Sequence, residues 1–132
     1  MRRRRGGPGL AVRRAQRVPR RPGHPAGQQV IVAGDLNVVR TSPEYAQMLA
    51  LTGTVAPTRY AGAPYSWDPS TNSVAASRYA GYQPEQLDYV LYRRANAKPA
   101  TRTNTVLTPQ SPPWESGGTT YRDYSDHYPV AG

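Results

Sequence analysis

Three short polar clusters carry residue types that hydrolytic chemistry uses: Gly34-Asp35-Leu36-Asn37, Leu87-Asp88-Tyr89 and Ser125-Asp126-His127. Singly, each has an ordinary explanation. An Asp and an Asn after a strand are common turn residues, an Asp beside a Tyr is commonly a surface charge, and a lone His is more often structural than catalytic. Together they supply much of what a phosphodiester hydrolase needs: a base for water, cover for the phosphoryl oxygens and help for the leaving oxygen. His127 is the only imidazole outside the arginine-rich amino terminus. Asp88 has the chemistry to hold one of its ring nitrogens so that the other can accept a proton. Asp35 and Asn37, two positions apart on an extended backbone, would point to one side and reach a common phosphate or metal.

Elements must deliver these clusters to one place. Val30, Ile31, Val32 and Ala33 form a continuous apolar run ending at Gly34, as a strand buried on both faces would, and this strand carries Asp35 at its end. Ser42 and Pro43 read as an N-cap and first helical position, with Glu44 favouring the helix start. Tyr45, Met48 and Leu49 fall on one helical face, and Gly53 ends the helix. From Thr54 to Gln86 the chain is rich in Pro, Gly, Ser, Ala and Tyr without a sustained period, and reads as a long loop. Within it Trp67 is expected to fill a sheet interface, while Asp68 and Asn72 satisfy loop backbone groups. Leu87 to Tyr92 is rich in strand formers and reads as a second core strand. Thr103 to Leu107 is a third, and Tyr128 to Val130 a short last one near an edge because of Pro129.

The ordered run of these motifs resembles the endonuclease/exonuclease/phosphatase superfamily. Within it, Pro43-Glu44-Tyr45, Tyr65-Ser66-Trp67-Asp68-Pro69, Thr71-Asn72-Ser73 and Tyr124-Ser125-Asp126-His127-Tyr128-Pro129-Val130 are similar to bacterial sphingomyelinase C. The resemblance covers residues 29 to 132. It implies an α+β fold, an α/β sandwich of two packed sheets flanked by helices, with catalysis at the strand ends. It also implies roles: His127 as general base, Asp88 as the carboxylate that orients it, and Asp35 and Asn37 at the scissile phosphate. Asp126 and Asp35 would hold a divalent ion, magnesium, while Asn37 and Trp67 would contact substrate. The implied reaction is hydrolysis of the phospholipid sphingomyelin to ceramide and phosphocholine, and the implied location is secreted.

Two departures qualify that implication. In relatives an upstream segment supplies an early Asn, the Glu that chiefly holds the metal and a further His. Residues 1 to 33 contain neither Glu nor Asp, and His24 has no strand before it. The chain is therefore expected to be the carboxyl-terminal half of the fold, with exposed strand edges and a missing amino-terminal half as partner. The second departure lies between Pro113 and Tyr121, where relatives carry an aromatic-tipped hairpin. Trp114 is followed here by Glu115, Ser116, Gly117, Gly118, Thr119 and Thr120, so membrane-surface contact is expected to be weak.

Charge narrows the alternatives. The formal net charge is +9, yet residues 1 to 29 hold nine arginines and no acid, and the remaining eight basic residues match all eight acids. Residues 1–28 read as a disordered Arg-rich tail and 29–132 as a partial catalytic domain. The tail suits a solvated segment better than an electrostatic arm for phosphate backbones or lipid heads. Its bias toward arginine, alanine, proline and glycine, with no lysine, also suits GC-rich coding sequence read from a mistaken start. A nuclease of the same superfamily, or a non-catalytic basic binding fragment, are the rival readings, with nucleic-acid contact expected only through the tail. Cysteine is absent, so no disulfide framework or thiolate metal site is available. The apolar run Leu10 to Val12 is too short for a signal peptide.

Overall fold

The computed structural model describes residues 23–132, and the part of the expected tail up to residue 22 lies outside the described residues. In chain order these form β1 (Ile31–Asp35), α1 (Glu44–Thr52), β2 (Thr54–Val55), β3 (Arg59–Gly62), α2 (Ser73–Tyr79), β4 (Asp88–Arg93), β5 (Thr103–Val106), β6 (Trp114–Ser116), β7 (Thr119–Tyr121) and β8 (Val130–Ala131). Two three-stranded sheets, ordered β1-β4-β2 and β3-β5-β8, are accompanied by the β6-β7 hairpin. The mixture of helices and sheets is the α+β class expected. Gly23 to Gln28, the end of the stretch expected to be disordered, make backbone contacts: the Ala97 amide donates to the Ala26 carbonyl at 2.7 Å and the Gln28 amide to Pro25 at 2.9 Å.

β4 organises the first sheet. Its run of Tyr89, Val90, Leu91 and Tyr92 suits a pleated, largely buried strand, and Tyr89, Leu91 and Tyr92 are indeed buried. The core gathers Met48, Tyr89 and Leu91, with Leu36, Val38, Tyr45, Leu49 and Tyr60 packed against them. The helical face of Tyr45, Met48 and Leu49 thus covers β4, as its spacing predicts. The Tyr89 hydroxyl lies within 2.6 and 2.7 Å of the Val38 and Gln86 carbonyls, which satisfies its buried donor.

β1 differs from expectation. It pairs with β4 alone, from Ile31 opposite Tyr92 to Asp35 opposite Asp88, and its burial is that of an edge strand, with only Val32 partly covered. Ile31 is 51% exposed. The apolar run correctly signalled a strand that something should cover on both sides, but the described residues cover one.

The start of α1 also differs. Pro43, not Ser42, occupies the N-cap, with φ −58 and ψ −28, and no side chain caps the helix. The Ser42 carbonyl instead accepts the Tyr45 amide at 3.2 Å, a turn that directs its hydroxyl away from the first-turn N–H groups. At the other end Gly53 adopts φ 66, a left-handed conformation that costs glycine little.

The stretch from Thr54 to Gln86 is not a single loop. It contains β2, β3 and α2, of two, four and seven residues, each too short to show a period. α2 exists because Asn72 caps it, its side-chain oxygen accepting the Val74 and Ala75 amides at 3.0 Å each, which satisfies two otherwise orphaned donors.

Polar side chains lock the two sheets together. β2 pairs only with Tyr92 and Arg93, so the Val90 groups on that side have no strand opposite. The buried Asn104 of β5 takes that place, accepting the Val90 amide and donating to its carbonyl, both at 2.9 Å.

Candidate active site

Strand register brings the first two clusters together. Because β1 and β4 pair antiparallel, Asp35 and Asp88 are directly opposed and project from the same face. Two like charges so placed repel, and His127, from the loop before β8, lies between them. Its Nδ1 is 2.7 Å from Asp88 Oδ2 and its Nε2 is 3.9 Å from Asp35 Oδ2. One ligand atom from each of Asp35, Asp88 and His127 lies within 4.8 Å of the others. The trio expected from sequence is therefore assembled by geometry, from residues up to 92 positions apart in the chain (127 − 35).

Asn37 reaches the site by another route than expected. The backbone does not stay extended: Asn37 has φ 51, and its amide donates to Asp35 Oδ1 at 2.8 Å. This is an Asx-type turn in a conformation that Asn tolerates better than most residues. Both side chains still line one pocket of about 280 Å³, together with Trp67, Glu85, Asp126 and His127. Trp67 is thus a pocket wall and not a filler of the sheet interface. It is held there by two backbone hydrogen bonds with Glu85, of 3.0 and 2.8 Å. Asp126 lines the pocket but stands outside the group formed by Asp35, Asp88 and His127.

Several residues that position the site carry no chemistry themselves. Ser66, fully buried, accepts the Leu87 and Asp88 amides on its hydroxyl at 3.0 and 3.1 Å, while its carbonyl accepts the Tyr128 amide at 2.7 Å. One residue thereby fixes the start of β4 and the loop that bears His127. Asn72 donates its side-chain amide to the Ser125 carbonyl at 2.9 Å. Ser73 donates its hydroxyl and its backbone amide to Asp123 Oδ2, both at 2.7 Å. The Tyr128 hydroxyl, its acidity lowered by burial, donates to Thr71 Oγ1 at 3.2 Å. The Thr71-Asn72-Ser73 motif thus ties α2 to the loop from Asp123 to Tyr128. Asn72 was legible as a loop-satisfying residue. Asp123 gave no sequence signal beyond being an acid in a loop.

β6 and β7 meet at Gly117 and Gly118, with φ 58 and 78, the positive values that a tight two-residue hairpin requires at both positions. Trp114 stacks on Tyr121 at the base, ring centroids 4.4 Å apart, and donates its indole N–H to the Asp123 carbonyl at 3.0 Å. The hairpin tip is polar, as its sequence predicts.

The donor set fits a hard divalent cation. Asp35 and Asp126 offer carboxylate oxygens to one pocket, and magnesium characteristically takes one or two carboxylates and completes its shell with water and phosphate oxygen. The imidazole Nδ1 is engaged by Asp88, which leaves oxygen as the available ligand type.

Comparison with known proteins agrees with this geometry. Residues 2–127 match the model of the Endonuclease/Exonuclease/phosphatase family. Sphingomyelinase C of Leptospira interrogans is 39% identical over 109 residues, covering 82% of this chain and 19% of the relative. Sphingomyelinase C of Listeria ivanovii is 38% identical over 112 residues, covering 82% and 33%. Among solved structures, sphingomyelinase C from Streptomyces griseocarneus superposes with a TM-score of 0.76 at 50% identity, over 81% of this chain and 38% of that one. A variant of β toxin from Staphylococcus aureus with bound magnesium ions gives 0.77 at 35%, over 81% and 38%. The chain spans between a fifth and two fifths of the relatives it matches. Its strand register, its opposed carboxylates and its match along residues 2–127 place it in the endonuclease/exonuclease/phosphatase family, among the bacterial sphingomyelinases.

Proposed function

We propose that this chain carries the acid–base side of a magnesium-dependent phosphodiesterase site of the sphingomyelinase type, cleaving sphingomyelin to ceramide and phosphocholine. The observation that carries the reading is the 2.7 Å contact between His127 Nδ1 and Asp88 Oδ2. A carboxylate that accepts the Nδ1 proton fixes the tautomer and turns Nε2, as a base, toward the pocket. There His127 takes a proton from water as the water oxygen attacks phosphorus and the bond to the ceramide oxygen breaks. Asn37 donates its amide to a phosphoryl oxygen, and Asp35, 3.9 Å from Nε2, orients the water through a hydrogen bond. Trp67 contacts the substrate from the pocket wall. Asp35 and Asp126 hold the divalent ion, which when bound stabilises charge on the phosphoryl oxygens.

We further propose that the working site includes ligands from an amino-terminal half that packs against β1. Support comes from the exposed edge of β1 and from an apolar cavity of about 440 Å³ behind the His127–Asp88 pair, lined in part by Ala33, Gly34, Val90, Pro109 and Val130. Lipid contact falls to Trp114 and Tyr121 at the hairpin base and is weak. The relatives' names suit a secreted protein. The test is magnesium-dependent hydrolysis of sphingomyelin and of bis(p-nitrophenyl) phosphate by the chain, alone and with the amino-terminal half of a relative added, using His127→Ala as control. Hydrolysis in either arm that this substitution abolishes supports the reading. Hydrolysis that survives it, or none in either arm, overturns it.

A further inference from the structure

The pocket beside His127 has a second wall whose chemistry the hydrolytic step does not use. Trp67 and Tyr79 line it together with Glu85. The two rings are 5.5 Å apart at 65°, so their planes form an open corner. Tyr79 continues the wall to Tyr82, 5.8 Å away at 76°, and these tyrosines are 37% and 65% exposed. Glu85 is drawn to the corner by its two backbone hydrogen bonds with Trp67. Among the described residues its carboxylate has no hydrogen-bond or ion-pair partner. An unpaired carboxylate beside aromatic faces is a cation site of a particular kind. A primary ammonium or guanidinium brings several N–H donors that need acceptors, and ring faces offer none. A quaternary ammonium has no donors, is bulky and weakly hydrated, and gains most from aromatic faces.

We propose that Trp67, Tyr79 and Glu85 form a subsite for a quaternary ammonium head group, which makes the pocket selective for choline esters of phosphate. This rests on the phosphodiesterase reading above and adds to it the residues that select the substrate. The carboxylates in the pocket then divide the work, Asp35 and Asp126 facing the metal and phosphate, Glu85 facing the onium.

The chain has two tryptophans, and the indole N–H signals of Trp67 and Trp114 in the nitrogen-labelled full chain report binding without any need for turnover. Choline titration should shift the Trp67 signal saturably and leave that of Trp114 in place. The neutral isostere 3,3-dimethylbutan-1-ol should bind roughly tenfold more weakly, the ratio expected for a cation–aromatic contact of this size. Glu85→Gln should weaken choline several-fold and leave the isostere unchanged. Tyr79→Phe, which keeps the ring face, should bind choline as the parent does, whereas Tyr79→Leu should not. Equal affinity for choline and its isostere, no saturable shift of Trp67, or indifference to Glu85→Gln overturns the subsite. Choline binding with all these features in a chain that hydrolyses nothing, even with the added half, leaves the subsite standing and removes the hydrolytic reading. Hydrolysis of bis(p-nitrophenyl) phosphate without choline binding does the reverse.

Discussion

Asn72 offers a way to separate helix capping from positioning of the catalytic loop, because its two ends do different things. The side-chain oxygen accepts the Val74 and Ala75 amides, and the side-chain nitrogen donates to the Ser125 carbonyl. Asn72→Ala removes both. Loss of the cap costs about 1 kcal/mol, and loss of a buried hydrogen bond that leaves a carbonyl unpaired costs about 1–3 kcal/mol more. Since the residue is fully buried, the total should be about 2–4 kcal/mol, read as a fall in the denaturant midpoint. Asn72→Asp keeps the oxygen acceptor but exchanges the donor for a second oxygen facing the Ser125 carbonyl. It should retain the cap and lose the loop tie. Amide hydrogen exchange distinguishes the two: protection at Ala76, whose amide donates to the Asn72 carbonyl at 2.9 Å, should fall in Asn72→Ala and persist in Asn72→Asp. Protection at Tyr128, bonded to the Ser66 carbonyl at 2.7 Å, should fall in both. If Tyr128 stays protected in Asn72→Asp, then Asn72 does not hold the loop that carries His127 and the positioning argument fails.

Three further outcomes follow from the same geometry. Asp88→Asn should lower hydrolysis about a hundredfold or more while leaving the fold intact, because it removes the carboxylate that sets the His127 tautomer; a rate within threefold of the parent would count against His127 as base. Gly62→Ala should cost well over 2 kcal/mol, since Gly62 has φ 76 and an added Cβ would collide with the Val106 carbonyl oxygen across the β3–β5 pairing; an unchanged denaturation midpoint would contradict that packing. Burial raises the phenol pKa of Tyr89 and Tyr60 far above the ordinary value, so above about pH 10 the unfolded chain releases protons that the folded chain keeps. Stability is then full below that pH and falls above it by about 1.4 kcal/mol per pH unit for each tyrosine. Denaturation followed between pH 9 and 11 should show this slope, and Tyr60→Phe should remove about half of it.

Legibility in the sequence followed the length and covering of each element. β4 and β5 were visible because four to six strand formers in a row meet partners on both sides, and α1 because a single face and a terminal glycine bound it. The apolar run at β1 was equally visible, but its burial was misjudged: hydrophobicity reports what a strand is suited to, and the described residues supply only one neighbour. β2, β3 and α2 were missed because two to seven residues carry no period, their stability coming from pairing and from the Asn72 cap. In the site, Asp35, Asp88 and His127 were found because residue type and order suffice for groups that perform chemistry. Ser66 and Asp123 were not, since their importance lies in which distant amides they meet. Asn37 was found for a reason the structure alters, a left-handed turn replacing the extended backbone.

The opposed pair Asp35 and Asp88 explains why these polar ties matter more than the size of the core. Directly opposite carboxylates destabilise a strand pair, so the β1–β4 register is locally unfavourable at the point where it builds the site. What offsets the repulsion is the imidazole held between them, and the imidazole arrives on a loop that no strand restrains until Val130. Its position therefore depends on Ser66, Asn72 and Ser73, which belong to the segment between the sheets. A change that loosens those ties removes the counter-group and leaves the like charges facing each other, so loss of loop order and loss of strand-end pairing should occur together. The site is in this sense a local conflict that the surrounding hydrogen bonds resolve, which is why the motif Thr71-Asn72-Ser73 accompanies the catalytic clusters although none of its side chains lines the pocket.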